Sequence, residues 1–120
     1  MTSISERQDM RVRLEREPVA HLAEWLVSNL GPRLTAFATG VPTVGGMDQI
    51  AHGESPDAGT ERRVRNLYAV AWLLSVEDGP GSAHAWLIEP NSELDDRAPA
   101  EVLHAEGAPE SVWIAAAPHL

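Results

Sequence analysis

The side chains best suited to binding a metal ion in this sequence are the histidines His21, His52, His84, His104 and His119. None of them lies three or four residues from another, the spacing that places two ligands on one face of a helix. The chain contains no cysteine, which excludes disulfides and thiolate metal sites. We therefore expect no metal site.

Groups that serve in catalysis are present but lack the arrangement that catalysis needs. The serines are not in a nucleophile elbow, and the glycines follow neither phosphate-binding loop pattern. Asp95 and Asp96 are adjacent carboxylates, but they precede a predicted helix, where the helix dipole favours negative charge. The sequence therefore predicts a protein that is not an enzyme and holds no cofactor.

Contact with DNA is a second chemistry that the side chains allow. Residues 40–42 separate two short predicted helices in the manner of a helix-turn-helix, whose second helix would enter a major groove. The candidate DNA-binding residues are Arg33, Thr43, Gln49, Arg62 and Arg63. Gln49 is a base-reading type and Thr43 a phosphate or methyl contact, whereas Asp48 between them would oppose phosphate. The alternative for the arginines is a solvated surface with local ion pairs.

The formal net charge of -9 is distributed unevenly along the chain. Residues 1–76 hold nine acidic residues against eight arginines, whereas residues 77–120 hold nine acidic residues against Arg97 alone. An acidic surface repels DNA and favours a basic protein surface, so we expect the two parts to have different partners. The alternative is that the acidic surface only aids solubility.

Apolar residues recur at helical spacing through most of the chain, and no segment alternates as a strand would. The predicted helices cover residues 19–30, 33–39, 43–51, 61–76, 82–89, 100–105 and 110–117. The fold class is all-α, a small helical bundle. We expect a charged arm over residues 1–18, a helix-turn-helix domain over 19–78 and a second module over 79–120. No apolar run reaches the roughly 20 residues that span a bilayer, so we expect a cytoplasmic protein without membrane contact.

Several local features follow from the same patterns. Thr60 and Ser82 are the expected N-caps of their helices, with a loop over residues 53–59. Phe37 is expected to face inward from the second helix. Gly45 and Gly46 each cost roughly 1 kcal/mol relative to alanine in a helix interior, so the third helix should be short, frayed or irregular.

The C-terminal part carries a recognisable series of residues. It consists of Trp86-Leu87, Pro90-Asn91, Leu94, then Ala98-Pro99-Ala100-Glu101-Val102-Leu103, Gly107 and Val112. This series, over roughly residues 82–117, resembles the toxin-binding domain of the Xre/MbcA/ParS-like antitoxins. The family pattern has Ser or Thr where Ala98 stands. Residues 33–68 are similar to the Xre-like helix-turn-helix of that family.

The resemblance implies a function and a partner. The partner would be a RES-domain toxin encoded by the adjacent gene, an enzyme that depletes NAD, whose active-site cleft the antitoxin blocks. The complex would also repress its own promoter, and a homodimer of the antitoxin would lie within a hetero-oligomer. The implied toxin-binding residues are Trp86, Pro90, Asn91, Leu94, Pro99, Leu103, Trp113, His119 and Leu120. The alternatives are a stand-alone helix-turn-helix regulator and a helical scaffold.

Overall fold

The computed structural model describes residues 17–106, 112, 115 and 116. Six α-helices lie within them: α1 (Val19–Leu30), α2 (Pro32–Thr39), α3 (Val44–Ala51), α4 (Ala58–Asp78), α5 (Pro80–Ile88) and α6 (Pro99–Glu106). A short 3₁₀ helix, Ser92–Leu94, joins α5 to α6. These residues form no strand and only one isolated antiparallel bridge, between Asn91 and Arg97. The prediction of an all-α bundle is confirmed.

The long helix α4 is the centre of the packing. It contacts α1, α2, α5 and α6, while α1 also covers α3 and α2 also packs on α6. Val64 and Leu67 of α4 are fully buried, and the Tyr68 ring meets Trp25 of α1 edge-on with centroids 5.2 Å apart. Buried side chains from α1 through α6, together with Val112, Ala115 and Ala116, join one hydrophobic core. No described helix has both the length and the apolar composition needed to cross a bilayer.

The predicted N-caps of α4 and α5 are wrong. Helix α4 begins at Ala58 because Asp57 is its N-cap, with the Asp57 carboxylate accepting from the Thr60 N–H at 2.7 Å. Helix α5 begins at Pro80 rather than after Ser82, since proline is preorganised for a first helical turn. The only break between α4 and α5 is Gly79, whose φ of 88° lies in the left-handed region that favours glycine.

Because Asp57 caps α4, the free energy of unfolding should depend on pH in the acidic range. The Thr60 backbone N–H, which binds the charged carboxylate, lowers the pKa of Asp57 below its ordinary value of 3.8. A carboxylate with a lowered folded pKa stabilises the protein above the unfolded pKa, and that contribution is lost as pH falls through the folded pKa. We expect Asp57→Asn to match the original protein at pH 7, because asparagine caps equally well, and to lose less stability below pH 3.8. Urea denaturation at several pH values measures this; parallel acid profiles for the two proteins would contradict it.

Helix α3 is short, as expected, with eight residues, but it is capped and helical throughout rather than frayed or irregular. Thr43 is its N-cap, and the Thr43 hydroxyl accepts from the Gly46 N–H at 2.9 Å. Met47 and Ile50 anchor the helix in the core. The cap also explains one glycine, since a Cβ at Gly46 would lie 3.1 Å from the Thr43 hydroxyl and 3.1 Å from Cγ1 of Val41. Capping and burial therefore offset the low helix propensity of the two glycines.

The two glycines of α3 should respond oppositely to alanine. A Cβ at Gly45 meets nothing within 4 Å, so Gly45→Ala is expected to raise the free energy of unfolding by up to about 1 kcal/mol. Gly46→Ala is expected to lower it, because the added methyl group crowds the capping hydroxyl. Thermal and urea denaturation of the two variants provide the comparison. Equal stabilisation by both substitutions would mean that the Thr43 cap accommodates the added methyl group without any loss of stability.

Candidate protein-binding site

A surface groove of about 360 Å³ lies where α5 ends. Its lining combines apolar side chains with carboxylates: Trp86, Glu89, Pro90, Asn91, Ser92, Glu93 and Ala115. We call it the acidic groove. Trp86 is half-buried, whereas Glu89, Pro90 and Glu93 are exposed. The groove therefore offers apolar area and negative charge together, which suits a protein ligand more than a small apolar molecule.

Asn91 organises the wall of the acidic groove. Its side-chain oxygen accepts from the Glu93 N–H at 2.9 Å, and its backbone carbonyl accepts from the N–H groups of Leu94 and Asp96. The Asn91 N–H in turn donates to the Arg97 carbonyl at 3.1 Å. Asparagine suits this position because its short side chain bonds to the backbone two residues on. These four hydrogen bonds of Asn91 close residues 91–97 into a compact loop.

The same loop presents two further carboxylates to solvent. Asp95 and Asp96 have positive φ values of 57° and 61°, and the Arg97 N–H donates back to the Leu94 carbonyl at 3.1 Å. Aspartate tolerates this left-handed conformation better than most residues. Both side chains are exposed, while the Arg97 Nε donates to the Leu94 carbonyl at 3.3 Å. Four exposed carboxylates therefore lie within eight residues of the chain, and the arginine beside them is turned toward the loop backbone.

The residues implied by the antitoxin resemblance divide into two groups. Trp86, Pro90 and Asn91 line the acidic groove. Leu94, Pro99 and Leu103 are buried, Leu94 in the loop and the other two in α6. Trp113, His119 and Leu120 lie outside the described residues. The structure thus brings the first three together at one surface and leaves the next three as packing residues.

The start of α6 shows how the departure at Ala98 is accommodated. Alanine has no side-chain oxygen to cap a helix, which typically costs ~1 kcal/mol. The Glu101 carboxylate accepts instead from the Ala98 N–H at 3.2 Å. This is the reciprocal half of a capping box, so one of the two usual bonds is retained.

Sequence reasoning missed several residues of this surface. Glu89, Glu93 and Ala115 line the groove, and Ile88, which precedes Glu89 in the chain, is 51% exposed. The excess of acidic residues after position 76 was the available signal for the two glutamates. Ile88 gave no such signal, because an apolar residue at the end of a helix pattern is expected to be buried.

The candidate DNA-binding residues do not all line one depression. Arg33 and Thr43 line a depression near the turn between α2 and α3, but the Thr43 hydroxyl is engaged as a helix cap. Arg63 donates through Nε to the His104 carbonyl at the end of α6. Arg62 lines a separate depression beside Glu61, and Gln49 is exposed on α3. Arg63 is therefore bonded within the fold, but to a distant backbone carbonyl; the local ion pair stated as the alternative is formed by Arg65, whose Nε lies 3.1 Å from Glu61.

The outer face of α3 is also poorly suited to phosphate. Gln49 shares this face with the exposed Asp48 and His52, whose Nδ1 lies 3.6 Å from the Asp48 carboxylate. A hydrogen bond to the Asp48 backbone carbonyl, helped by that carboxylate, raises the pKa of His52. The positive charge of a protonated His52 would lie beside the negative Asp48 carboxylate. Among the described residues, α3 therefore presents no net positive face.

Phe37 of α2 is not buried as expected but packs on His104 of α6. The Phe37 ring is 44% exposed and stacks on His104, with centroids 4.7 Å apart and planes 7° from parallel. His104 Nδ1 lies 2.7 Å from the Phe37 carbonyl. The prediction that Phe37 faces inward is therefore wrong, because stacking on α6 covers one ring face while the other remains in solvent.

Neither a metal site nor a similarity to a known protein assigns a function to the groove. The described residues contain no group of three or more His, Asp or Glu side chains that could hold a metal ion. No family model matches the chain, and no curated protein or solved structure matches it either. The acidic groove is therefore interpreted from its own geometry and from the sequence pattern that lines it.

Proposed function

We propose that the chain is a non-catalytic antitoxin that binds a RES-domain toxin and blocks the cleft in which that toxin consumes NAD. The observation that carries the proposal is the meeting of Trp86, Pro90 and Asn91 at one exposed groove with acidic walls. These residues are the central part of the sequence pattern that resembles the Xre/MbcA/ParS-like antitoxins. Their meeting at one surface groove supports a role in contact with another protein.

Electrostatics supports the same kind of partner. A cleft that binds the phosphates of a dinucleotide is expected to be basic, and four exposed carboxylates lie in and beside the acidic groove: Glu89, Glu93, Asp95 and Asp96. Opposite charges at two surfaces speed their encounter and disfavour wrong partners. The apolar area of Trp86, Pro90 and Ala115 in the groove supplies the burial that holds such a complex together.

We favour toxin binding over a stand-alone DNA-binding regulator. A regulator needs basic side chains converging on α3, where Asp48 would instead repel phosphate. The Thr43 hydroxyl and the Arg63 guanidinium are both hydrogen-bonded to other residues of the chain. Autorepression would then depend on the complex rather than on this chain alone. In this proposal the protein acts in the cytoplasm, as a homodimer within a hetero-oligomer with its toxin.

Co-expression tests the proposal directly. The tagged chain is produced together with the product of the adjacent gene, and both co-purification and cellular NAD are followed. We expect a stable complex and NAD restored to the level of cells without the neighbouring gene. A chain that neither retains the neighbour's product nor protects NAD would contradict the proposal, and binding of a palindromic DNA site by the chain alone would favour the regulator.

A matched pair of variants makes that experiment specific to the groove. Glu89→Gln with Glu93→Gln removes two exposed carboxylates from it. Glu24→Gln with Glu54→Gln removes the same charge from α1 and from the loop before α4, where both residues are also exposed. We expect the first pair to weaken retention of the partner and the second to leave it unchanged. Equal effects would show that only net charge matters.

A further inference from the structure

Two exposed apolar side chains line one depression near the turn between α2 and α3. The large apolar side chains that are exposed among the described residues are Phe37, Val44, Val76 and Ile88. Phe37 and Val44 both line a depression of about 460 Å³. The Phe37 ring is 44% exposed although it stacks on His104, and Val44 is 42% exposed. Single exposed apolar residues are common, but neighbouring ones form a patch that another protein can cover.

Charged side chains extend this apolar patch in opposite directions. Arg33 precedes Phe37 by four residues in α2, and Asp48 follows Val44 by four residues in α3. Residues four apart lie on the same face of a helix. Both charged side chains are exposed, and Arg33 lines the same depression as Phe37 and Val44. The order along the surface is therefore positive, apolar, apolar, negative, and we call these four residues the α2–α3 stripe.

Both charges of the α2–α3 stripe are available to another molecule. Among the described residues, no carboxylate forms an ion pair with Arg33. Asp48 has His52 as a neighbour at 3.6 Å, and that imidazole is charged only when protonated. Other exposed carboxylates, such as Glu54, also lack an ion pair, so availability alone does not distinguish Asp48. What distinguishes it is its place at one end of an apolar patch whose other end carries an arginine.

This order of charges restricts the kind of surface that fits the stripe. A partner with charge of one sign would be attracted at one end and repelled at the other: a basic cleft would oppose Arg33, and a nucleic acid would oppose Asp48. A fitting surface has an apolar centre with the two charges in the reverse order. A second copy of this chain presents that order after a two-fold rotation, because a two-fold contact places residue i against j and j against i.

We propose that two copies of the chain pair through their α2–α3 stripes about a two-fold axis. Arg33 of each copy pairs with Asp48 of the other copy, and Phe37 and Val44 of the two copies cover each other at the centre. Gln49, which follows Asp48 on α3, then lies at the contact between copies, so α3 does not enter a DNA groove in the dimer. The stripe shares no residue with the lining of the acidic groove, and the pairing does not depend on the identity of the toxin.

Charge reversal tests the pairing on the chain alone. Analytical ultracentrifugation over a series of concentrations gives the dissociation constant of the dimer, and circular dichroism checks the helix content. We expect a dimer and no larger species, because a two-fold contact closes on itself. Arg33→Asp alone and Asp48→Arg alone each bring like charges together at two places in the dimer. Each is expected to raise the dissociation constant at least about 10-fold.

A mixture of the two variants is the specific part of the test. In a mixed dimer of Arg33→Asp with Asp48→Arg, the two introduced charges face each other, and the unchanged Asp48 of one copy faces the unchanged Arg33 of the other. The equimolar mixture should therefore regain most of the affinity that each variant alone has lost. A mixture that stays as weak as the separate variants, or an original chain that is monomeric at every concentration measured, would overturn the proposal.

Further variants separate the stripe from net charge and from folding. Arg62→Asp and Glu93→Arg make the same charge changes at exposed positions outside the stripe and should leave the dimer intact; equal weakening by them would overturn the proposal. Val44→Asp should abolish the dimer with unchanged helix content, because a carboxylate in the first turn of α3 suits the helix dipole.

Hydrogen exchange separates self-pairing from binding of the toxin at the same stripe. If the chain is monomeric and exchange at residues 37–44 slows only when the neighbouring gene's product is added, the stripe binds that product and self-pairing is wrong. The ultracentrifugation uses the chain alone, so its failure leaves the co-expression result untouched, and the reverse is also true.

Discussion

Leu103→Ala is expected to lower the free energy of unfolding by about 2–5 kcal/mol, a large share of the 5–15 kcal/mol typical of a small domain. Leu103 is 1% exposed and packs in the hydrophobic core. Truncation removes buried apolar area and leaves a cavity that rigid neighbours fill only in part. Urea denaturation followed by circular dichroism measures the loss, and any loss of partner binding should follow from unfolding.

Ile88→Ala is the matched control, because it removes a similar aliphatic side chain that is 51% exposed. We expect its stability to stay within about 0.5 kcal/mol of the original protein, with weaker partner binding. If Leu103→Ala kept full stability yet bound the partner poorly, the leucine would be a contact residue and the packing described for α6 would be wrong.

Glu89→Arg with Glu93→Arg is expected to reduce affinity for the toxin by at least about 100-fold. Each substitution replaces a carboxylate in the groove with a cation facing a basic surface, and like charges brought together at an interface cost several kcal/mol. The fold should be unaffected, because both side chains are exposed. Titration calorimetry with the purified partner gives the affinity, and circular dichroism checks the helix content.

The control for charge reversal is Glu24→Arg with Glu54→Arg, which changes the net charge by the same amount at a distance from the groove. We expect a small effect that vanishes in 0.5 M salt, where the Debye length falls to roughly 4–5 Å. If both pairs weakened binding equally at high salt, the partner would not be bound at the acidic groove.

The helices themselves were predictable from the sequence because their apolar spacing is strong. The stripe of α4, including Val64 and Leu67, and the stripe of α1 correspond to buried faces in the structure. Helix ends were less predictable, since Asp57 and Thr60 are both good N-cap types and only their backbone conformations decide between them. The position of Phe37 could not be predicted from its own helix, because its ring packs on His104, which is 67 residues away in the chain.

The candidate site was predictable only in part. The pattern around Trp86, Pro90 and Asn91 marked a segment that lines the acidic groove, and the charge excess after residue 76 indicated an acidic surface. The sequence does not say that Leu94 and Leu103 face the core while Ile88 faces solvent, because helical spacing in short, mostly apolar segments does not define a single face. For Arg63, only the fold shows that its guanidinium is used at the end of α6.

Hydrogen exchange on the complex with the neighbouring gene's product tests the central claim most directly. The account predicts slower exchange at residues 86–93 on binding, with the backbone of α3 unchanged. Slower exchange confined to α2 and α3, with residues 86–93 unaffected, would contradict the acidic groove as the binding site.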